Sequence, residues 1–378
     1  MSMLPSRPAG ARSLADVLTS CLAAVRGEVS PLGLPAVDKA IVVLVDGLGA
    51  TALKTRAGHA RALATRLTKS TTIESGFPTT TASALASLTT GALPGAHGLV
   101  GYQSRDPGTG RVFNHLSGWV GDPAPEAWQP LPTVFERAAT AGVPSYAIGQ
   151  GRYASSQFTR AILRGAEYVT AETVDDRFHA AADLLAAPGG ALVYLYVPEL
   201  DQIAHEQGWE SDAWAAALEV LDANVRALEA ALGPRDGMLV SADHGIVDVP
   251  LHAHVLFDEN PSLTAGVDAI GGEPRLLQLY LRSGASADEA GALAARWRAA
   301  EGARAWIATK AEAIAAGWFG PVSPLVEPRL GDVFVAARAR VAYYDSRTAR
   351  PQSLAMIGQH GSFSPDEVRV PLLPFGVF

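Results

Sequence analysis

Aspartate and histidine residues follow three short apolar runs of the chain. The runs are Ala40–Val45, Ala191–Val197 and Met238–Val240. With one histidine between glycines near the C-terminus, the acidic and imidazole residues are Asp46, Asp201, His205, Asp243, His244 and His360. Such mixed ligands suit zinc and related transition metals, whereas magnesium and calcium prefer oxygen shells. Because six ligands are more than one tetrahedral zinc uses, the set predicts two metal ions, an arrangement suited to phosphoryl transfer.

The spacing of these residues supports a common site. Asp201 and His205 are four residues apart, so a helix would place both on one face. Asp243 and His244 are adjacent at a strand end, where a turn can direct both towards one point. Taken alone, Asp46 with the following glycine is also typical of a simple turn. The prediction therefore depends on the whole set rather than on any one pair.

A group of threonines offers a nucleophile. Thr79, Thr80 and Thr81 directly precede Ala82–Thr90, a helix-compatible segment that Gly91 would close. Free N–H groups at the start of a helix favour an anionic phosphoryl group. A threonine there is also a common helix cap, so the capping and the nucleophilic interpretations are both open.

The apolar runs predict the architecture that positions these residues. Runs rich in Val, Leu and Ile without alternation fit strands buried on both faces of a parallel sheet. Helical patterns lie between them, most clearly at Asp176–Ala187 and Ser211–Leu232. We therefore expect a doubly wound, mostly parallel α/β sheet, in which ligands bind beyond the carboxyl ends of the strands.

The composition and the pattern of predicted helices and strands divide the chain into three parts. Residues 1–35 form an N-terminal leader or wrap with a helix near Ser13–Val25, and residues 36–260 with 328–378 form the α/β core. Residues 261–327 read as a small α+β cap insert, with a strand at Leu276–Leu281 and a helix at Ser286–Glu301. The main sheet is expected to resume at Asp332–Ala336. The insert is expected to overhang the cleft and select the leaving group.

Composition excludes several classes of protein. The 378 residues are 48% hydrophobic and carry a net charge of −8, which argues against a nucleic acid polymer as partner. The lone Cys21 excludes an intramolecular disulfide framework. No run approaches the roughly 20 apolar residues of a membrane helix, and no secretory signal is visible. We expect a cytoplasmic protein without a membrane partner; its oligomeric state is left open.

Five stretches resemble the alkaline phosphatase superfamily and, within it, the type I phosphodiesterases and nucleotide pyrophosphatases. They are VLVDGLG (43–49), FPTTTASALASLTTGALPGAHGLVGY (77–102), PELDQIAHEQG (198–208), SADHGIVDV (241–249) and GQHGSFSPDEVRVPLLPFG (358–376). The stretches span most of the chain in the order that the family uses. The resemblance implies an alkaline phosphatase-like fold.

The resemblance also implies roles for single residues. One zinc would be held by Asp46, Asp243 and His244, with the nucleophile oxygen, and a second zinc by Asp201, His205 and His360. Counting back ten residues from Gly91, as the superfamily pattern requires, gives Thr81 as nucleophile. The Phe-Pro pair precedes Thr81 here, whereas in typical members it follows the nucleophile, which leaves Thr80 and Thr79 as lesser candidates.

A second departure concerns the substrate. Members commonly place an asparagine on the phosphoryl oxygens, and the matching position here is Tyr102, a predicted substrate-binding residue that can donate one hydrogen bond. The implied activity is hydrolysis of phosphodiester or pyrophosphate bonds in small, nucleotide-like substrates through a covalent phosphothreonine.

Two alternatives remain open. One is a phosphomonoesterase or phosphonate hydrolase of the same superfamily; a monoester dianion would call for a further cation, for which Arg105, Arg152 and Arg275 are candidates. The other is a catalytically inactive metal-binding scaffold.

Overall fold

The computed structural model describes residues 3–7, 10–119 and 124–378, so residues 1, 2, 8 and 9 of the predicted leader lie outside the described residues. The strands are β1 Lys39–Val45, β2 Thr72–Glu74, β3 Gln103–Arg105, β4 Val112–Asn114, β5 Ser145–Gly149, β6 Glu167–Thr170, β7 Ala191–Val197, β8 Asp236–Ser241, β9 Val247–Asp248, β10 His254–Leu256, β11 Val267–Glu273, β12 Leu276–Leu281, β13 Ala305–Thr309, β14 Val333–Ala337, β15 Ala342–Tyr344, β16 Gly358–Gln359 and β17 Arg369–Gly376.

The helices are α1 Ala15–Val25, α2 Ala50–Thr55, α3 Arg61–Ala64, α4 Thr81–Thr90, α5 Pro94–His97, α6 Pro125–Trp128, α7 Val134–Thr140, α8 Gly151–Ala154, α9 Gln157–Ile162, α10 Val174–Ala186, α11 Glu199–Gln207, α12 Asp212–Ala231, α13 Pro261–Thr264, α14 Ala287–Glu301, α15 Lys310–Ala315, α16 Pro351–Ala355 and α17 Pro365–Val368. None of them, within the described ranges, is long and apolar enough to span a membrane. The cytoplasmic location stays a prediction.

A seven-stranded sheet forms the centre of the molecule, in the order β2-β17-β8-β1-β7-β5-β6. Strands β8, β1, β7, β5 and β6 run parallel, whereas β17 is antiparallel to both β8 and β2. All seven residues of β1 are buried, as expected of a central strand covered on both faces. The predicted α/β fold with a mostly parallel sheet is confirmed.

A second, antiparallel sheet has the order β11-β12-β14-β13. It contains Val333–Ala337, so the prediction that the main sheet resumes at Asp332–Ala336 was wrong. This strand is apolar because it is buried on both faces: Val333 and Val335 pack in one core cluster, and Phe334 packs in another. An apolar run indicates a central strand but does not say in which sheet it lies. The division of the chain at residues 261 and 327 stays a prediction.

Candidate active site

Three parallel strands of the main sheet end at the same level. Val45 of β1 pairs with Val197 of β7, and Leu44 of β1 pairs with Ser241 of β8. The segments that follow these strands therefore leave the sheet at one edge. They carry the acidic and imidazole residues Asp46, Asp201, His205, Asp243 and His244.

The first cluster consists of Asp46, Asp243 and His244. The Nε2 atom of His244 lies 3.4 Å from Oδ1 of Asp46 and 3.5 Å from Oδ2 of Asp243. One candidate ligand atom from each of the three residues lies within 4.8 Å of the other two. All three residues are buried. The cluster has the composition and spacing of a metal site.

The second cluster consists of Asp201, His205 and His360. Asp201 and His205 lie one turn apart on α11, and Nε2 of His205 is 3.1 Å from Oδ2 of Asp201. His360 follows β16, and its Nε2 is 4.0 Å from Oδ1 of Asp201. The imidazole rings of His244 and His360 stack with their centroids 3.8 Å apart. The two clusters therefore adjoin each other.

Backbone carbonyl oxygens fix the orientation of all three imidazoles. Nδ1 of His205 lies 2.7 Å from the Gly358 oxygen, and Nδ1 of His360 lies 2.8 Å from the Thr79 oxygen. Nδ1 of His244 lies 3.2 Å from the Gly245 oxygen. A carbonyl only accepts, so each Nδ1 carries the proton and each Nε2 presents its lone pair to the cluster.

Each aspartate of the two clusters keeps one buried oxygen that has no hydrogen-bond partner in the described part of the chain. Asp243 accepts from the backbone N–H groups of Gly47 and His244 through Oδ1, and its Oδ2 is unpartnered. Oδ1 of Asp46 and Oδ1 of Asp201 are also unpartnered. A buried carboxylate oxygen left in this state is costly unless a cation balances it.

The electrostatics of the site also favour a cation. Burial, with the charges of Asp243 and Asp201, raises the pKa of Asp46 well above its usual range. Burial raises the pKa of Asp243 as well. Burial acts in the same direction on Asp201, but His205, His360 and His244 together outweigh it and lower the pKa of this carboxyl. Dications would relieve the repulsion among these three carboxylates.

The hydroxyl of Thr81 lies at the edge of the first cluster. Thr81 is the first residue of α4, and its Oγ1 is 3.2 Å from Nε2 of His244. The helix ends at Thr90, and Gly91 follows with φ of +69°, the left-handed conformation expected of a closing glycine. The N-cap residue of α4 is Thr80, so Thr81 does not occupy the capping position, and its hydroxyl contacts His244 instead.

A family model described as type I phosphodiesterase / nucleotide pyrophosphatase matches residues 40–363. The chain belongs to this family. It is therefore a hydrolase of phosphoric esters, of a superfamily that depends on metal ions. No curated protein sequence matches the chain.

Solved structures share the fold of this phosphodiesterase family member. Murine ectonucleotide pyrophosphatase / phosphodiesterase 5 is 16% identical with a TM-score of 0.66, over 88% of this chain and 87% of that one. An inactive variant of it, in complex with AMP, is 15% identical with a TM-score of 0.65, over 89% and 87%. Phosphonoacetate hydrolase from Sinorhizobium meliloti 1021, in complex with phosphonoacetate, is 18% identical with a TM-score of 0.69, over 90% and 91%.

The other two threonines of the predicted nucleophile loop differ in their environment. The hydroxyl of Thr79 donates to the Ser362 oxygen at 2.7 Å and accepts from the Gly361 N–H at 3.1 Å. Thr79 is thus a structural tie between this loop and the loop of His360. The hydroxyl of Thr80 is buried, interacts with the carboxyl of Glu273 and lines the same cavity as Thr81.

A cavity of about 400 Å³ opens beside Thr81 and is lined in part by both clusters. The side chain of Tyr102 lines it, half-buried, and burial raises the pKa of its hydroxyl, which the side chain of Asn114 contacts. Within the described ranges, no Lys or Arg lines the cavity.

The three arginines considered from the sequence are engaged elsewhere. Arg275 donates to both carboxylate oxygens of Glu367 at 2.7 Å. Arg105 pairs with Asp268 at 2.8 Å, and the guanidinium of Arg152 lies over the ring of Tyr153 at 4.7 Å. None of the three is among the described residues that line the cavity, although Tyr153, which Arg152 covers, does line it.

Sequence reasoning missed two residues that contact the clusters. Tyr196 of β7 donates its hydroxyl hydrogen bond to Oδ2 of Asp46. Glu273, at the end of β11 in the second sheet, is buried with Oε2 3.6 Å from Nδ1 of His360 and with Oε1 unpartnered. A tyrosine inside a fully apolar strand was a usable signal, since a buried hydroxyl needs a partner. Nothing local to Glu273 indicated its place.

Close approach explains a glycine beside this second cluster. Gly361 has φ of +132°, and a Cβ atom there would lie 2.7 Å from Cγ of Glu273. Only glycine allows the loop after His360 to pass this closely over the second sheet.

Proposed function

We propose that the protein cleaves phosphodiester or pyrophosphate bonds at a two-zinc site, through a covalent phosphothreonine on Thr81. The observation that carries the proposal is the juxtaposition of two three-residue clusters of buried ligands with the Thr81 hydroxyl. Asp46, Asp243 and His244 would hold one zinc, and Asp201, His205 and His360 the other. Each aspartate offers such an ion one unpartnered carboxylate oxygen, and each histidine offers the Nε2 lone pair that faces its cluster.

Zinc bound there would supply Lewis acidity, which lowers the pKa of an oxygen nucleophile and neutralises charge on a leaving oxygen. Thr81 attacks phosphorus through its Oγ1, and the bond to the leaving ester oxygen breaks. The first N–H groups of α4 face the phosphoryl group and favour its negative charge. Water then cleaves the phosphothreonine and restores the Thr81 hydroxyl.

The charge of the cavity favours a diester over a monoester. Among the described lining residues, the carboxyls of Asp46, Asp201 and Glu273 meet no Lys or Arg. A phosphodiester carries one negative charge and a monoester carries nearly two at neutral pH. Beyond the metal ions, the monoester therefore calls for a further cation, which these lining residues do not supply. The ligands of the similar structures, AMP and phosphonoacetate, are a monoester and a phosphonate, so they support a small phosphorus-containing substrate but not the preference for a diester.

The test compares the zinc-loaded protein on bis(4-nitrophenyl) phosphate and on 4-nitrophenyl phosphate. We expect a higher kcat/KM for the diester, and loss of turnover in Thr81→Ala with partial retention in Thr81→Ser. Acid quenching during turnover of a ³²P-labelled diester should leave label bound to the wild-type protein. The same experiment with Thr81→Ala should leave no label on the protein. A clear preference for the monoester would favour the phosphomonoesterase alternative, and no hydrolysis of any ester would favour the inactive scaffold.

A further inference from the structure

The cavity beside Thr81 continues into a chamber with apolar walls. Its walls come from α4, β5 and α9, and they are formed by Leu85, Ala147, Ile148, Phe158 and Ile162. These side chains are buried in the core and yet border the same cavity as Asp46, Thr81 and Asp201. Cavities of roughly 300–1,000 Å³ hold small organic ligands, and this one has about 400 Å³.

Three polar groups on the chamber wall are already paired within the protein. The hydroxyl of Tyr168 donates to the Gln150 oxygen at 2.8 Å, and that of Ser156 donates to Thr159 Oγ1 at 3.0 Å. The hydroxyl of Tyr196 donates to Asp46. A polar ligand placed among these groups would lose hydrogen bonds to water without regaining them, which is unfavourable.

The charge of the wall points in the same direction. No Lys or Arg of the described part of the chain is among the residues that line the cavity. Away from the two clusters, a second anionic group on the substrate, such as a carboxylate or a further phosphate, would therefore meet no lysine or arginine on the wall.

Resting on the proposed function, we propose that this chamber takes an uncharged, apolar ester group, aryl or short-chain alkyl, of a singly charged phosphodiester. The substrate class is thus a diester with a hydrophobic alcohol rather than a nucleotide. The clusters hold the phosphoryl group at one end of the cavity, and the apolar group fills the other end.

The experiment measures binding rather than turnover. O-methyl, O-butyl, O-hexyl, O-phenyl and 5′-O-thymidine methylphosphonates each carry a single negative charge and mimic a diester. Their affinities for the zinc-loaded protein are compared by isothermal titration calorimetry. We expect affinity to rise about three- to fourfold for each buried methylene group until the chamber is full. The hexyl and phenyl compounds should bind at least tenfold more tightly than the thymidine compound.

Two variants locate the effect. Ile162→Phe narrows the chamber, so it should weaken binding of the hexyl compound at least tenfold more than binding of the methyl compound. Val220→Phe introduces the same side chain at an exposed position of α12, outside the cavity lining, and should leave the series as in wild type. If Ile162→Phe does not fold, Phe158→Ala should move the best-binding compound to a longer chain.

Equal affinities from methyl to hexyl, or tighter binding of the thymidine compound, would overturn the proposal. Hydrolysis of bis(4-nitrophenyl) phosphate alongside a flat affinity series would leave the proposed function standing and remove only the apolar chamber. Affinities that rise steeply with chain length, without hydrolysis of any ester, would support the apolar chamber and remove the proposed function.

Discussion

The two ligand clusters are similar in composition and different in construction. Asp46, Asp243 and His244 all follow the ends of β1 and β8, adjacent parallel strands of one sheet. Asp201 and His205 lie on α11, whereas His360 comes from a distant loop held by the backbone of Thr79. The ligands of the first cluster therefore come from two neighbouring strands of the main sheet. Those of the second come from one helix and one loop, and the loop is held in place by a third segment, at Thr79.

The largest effect is expected from breaking the first cluster. Asp243→Asn keeps the size of the side chain and removes the charge that would balance a cation. We expect kcat/KM on bis(4-nitrophenyl) phosphate to fall by about 10³-fold or more, equivalent to about 4 kcal/mol of activation free energy. Asp212→Asn, at an exposed position, is the matched control. A fall of less than tenfold would contradict the assignment.

Breaking the second cluster should show that the two sites bind zinc independently. His360→Ala should lower kcat/KM by about 10²-fold or more, equivalent to about 2.7 kcal/mol, and should remove one zinc while the first cluster keeps its own. Metal content after gel filtration measures this, with the exposed His179→Ala as control. Loss of both ions together would show that the clusters do not bind independently.

This difference in construction also explains what the sequence could predict. The first cluster could be predicted from local patterns. Each of its acidic residues follows an apolar strand and therefore lies at the carboxyl end of the parallel strands, where ligands bind. Glu273 could not be placed, since its contact with His360 joins residues far apart in the chain. The buried hydroxyl of Tyr196 indicated that a partner exists, but the sequence could not name Asp46 as that partner for the same reason. The assignment of Asp332–Ala336 to the main sheet failed for the same reason, because strand pairing is a long-range property.

Glu273 tests whether the second sheet supports the second cluster. Its carboxyl lies behind His360, on the side of Nδ1. Groups in this position typically change metal affinity by about 10- to 100-fold. We expect Glu273→Ala to lower the zinc affinity of the second cluster by a factor in that range, and Glu273→Gln to lower it by less. Competition with a chromophoric chelator measures both, against exposed Glu259→Ala. An equal loss at the first cluster would contradict the comparison.

Tyr196 offers the corresponding test at the first cluster, with a smaller effect. Tyr196→Phe removes the hydroxyl that orients Asp46 and keeps the ring. We expect about tenfold weaker zinc binding at the first cluster and no change at the second. The same chelator titration reports both sites. A larger effect at the second cluster would mean that the hydroxyl acts on another residue.

Zinc stoichiometry tests the central idea most directly. The purified chain is stripped with chelator, titrated with zinc and analysed for bound metal per chain, beside Asp243→Asn and His360→Ala. Two tightly bound ions in wild type and one in each variant are predicted. Fewer than one ion per wild-type chain, or two ions retained in both variants, would contradict a bimetallic centre beside Thr81.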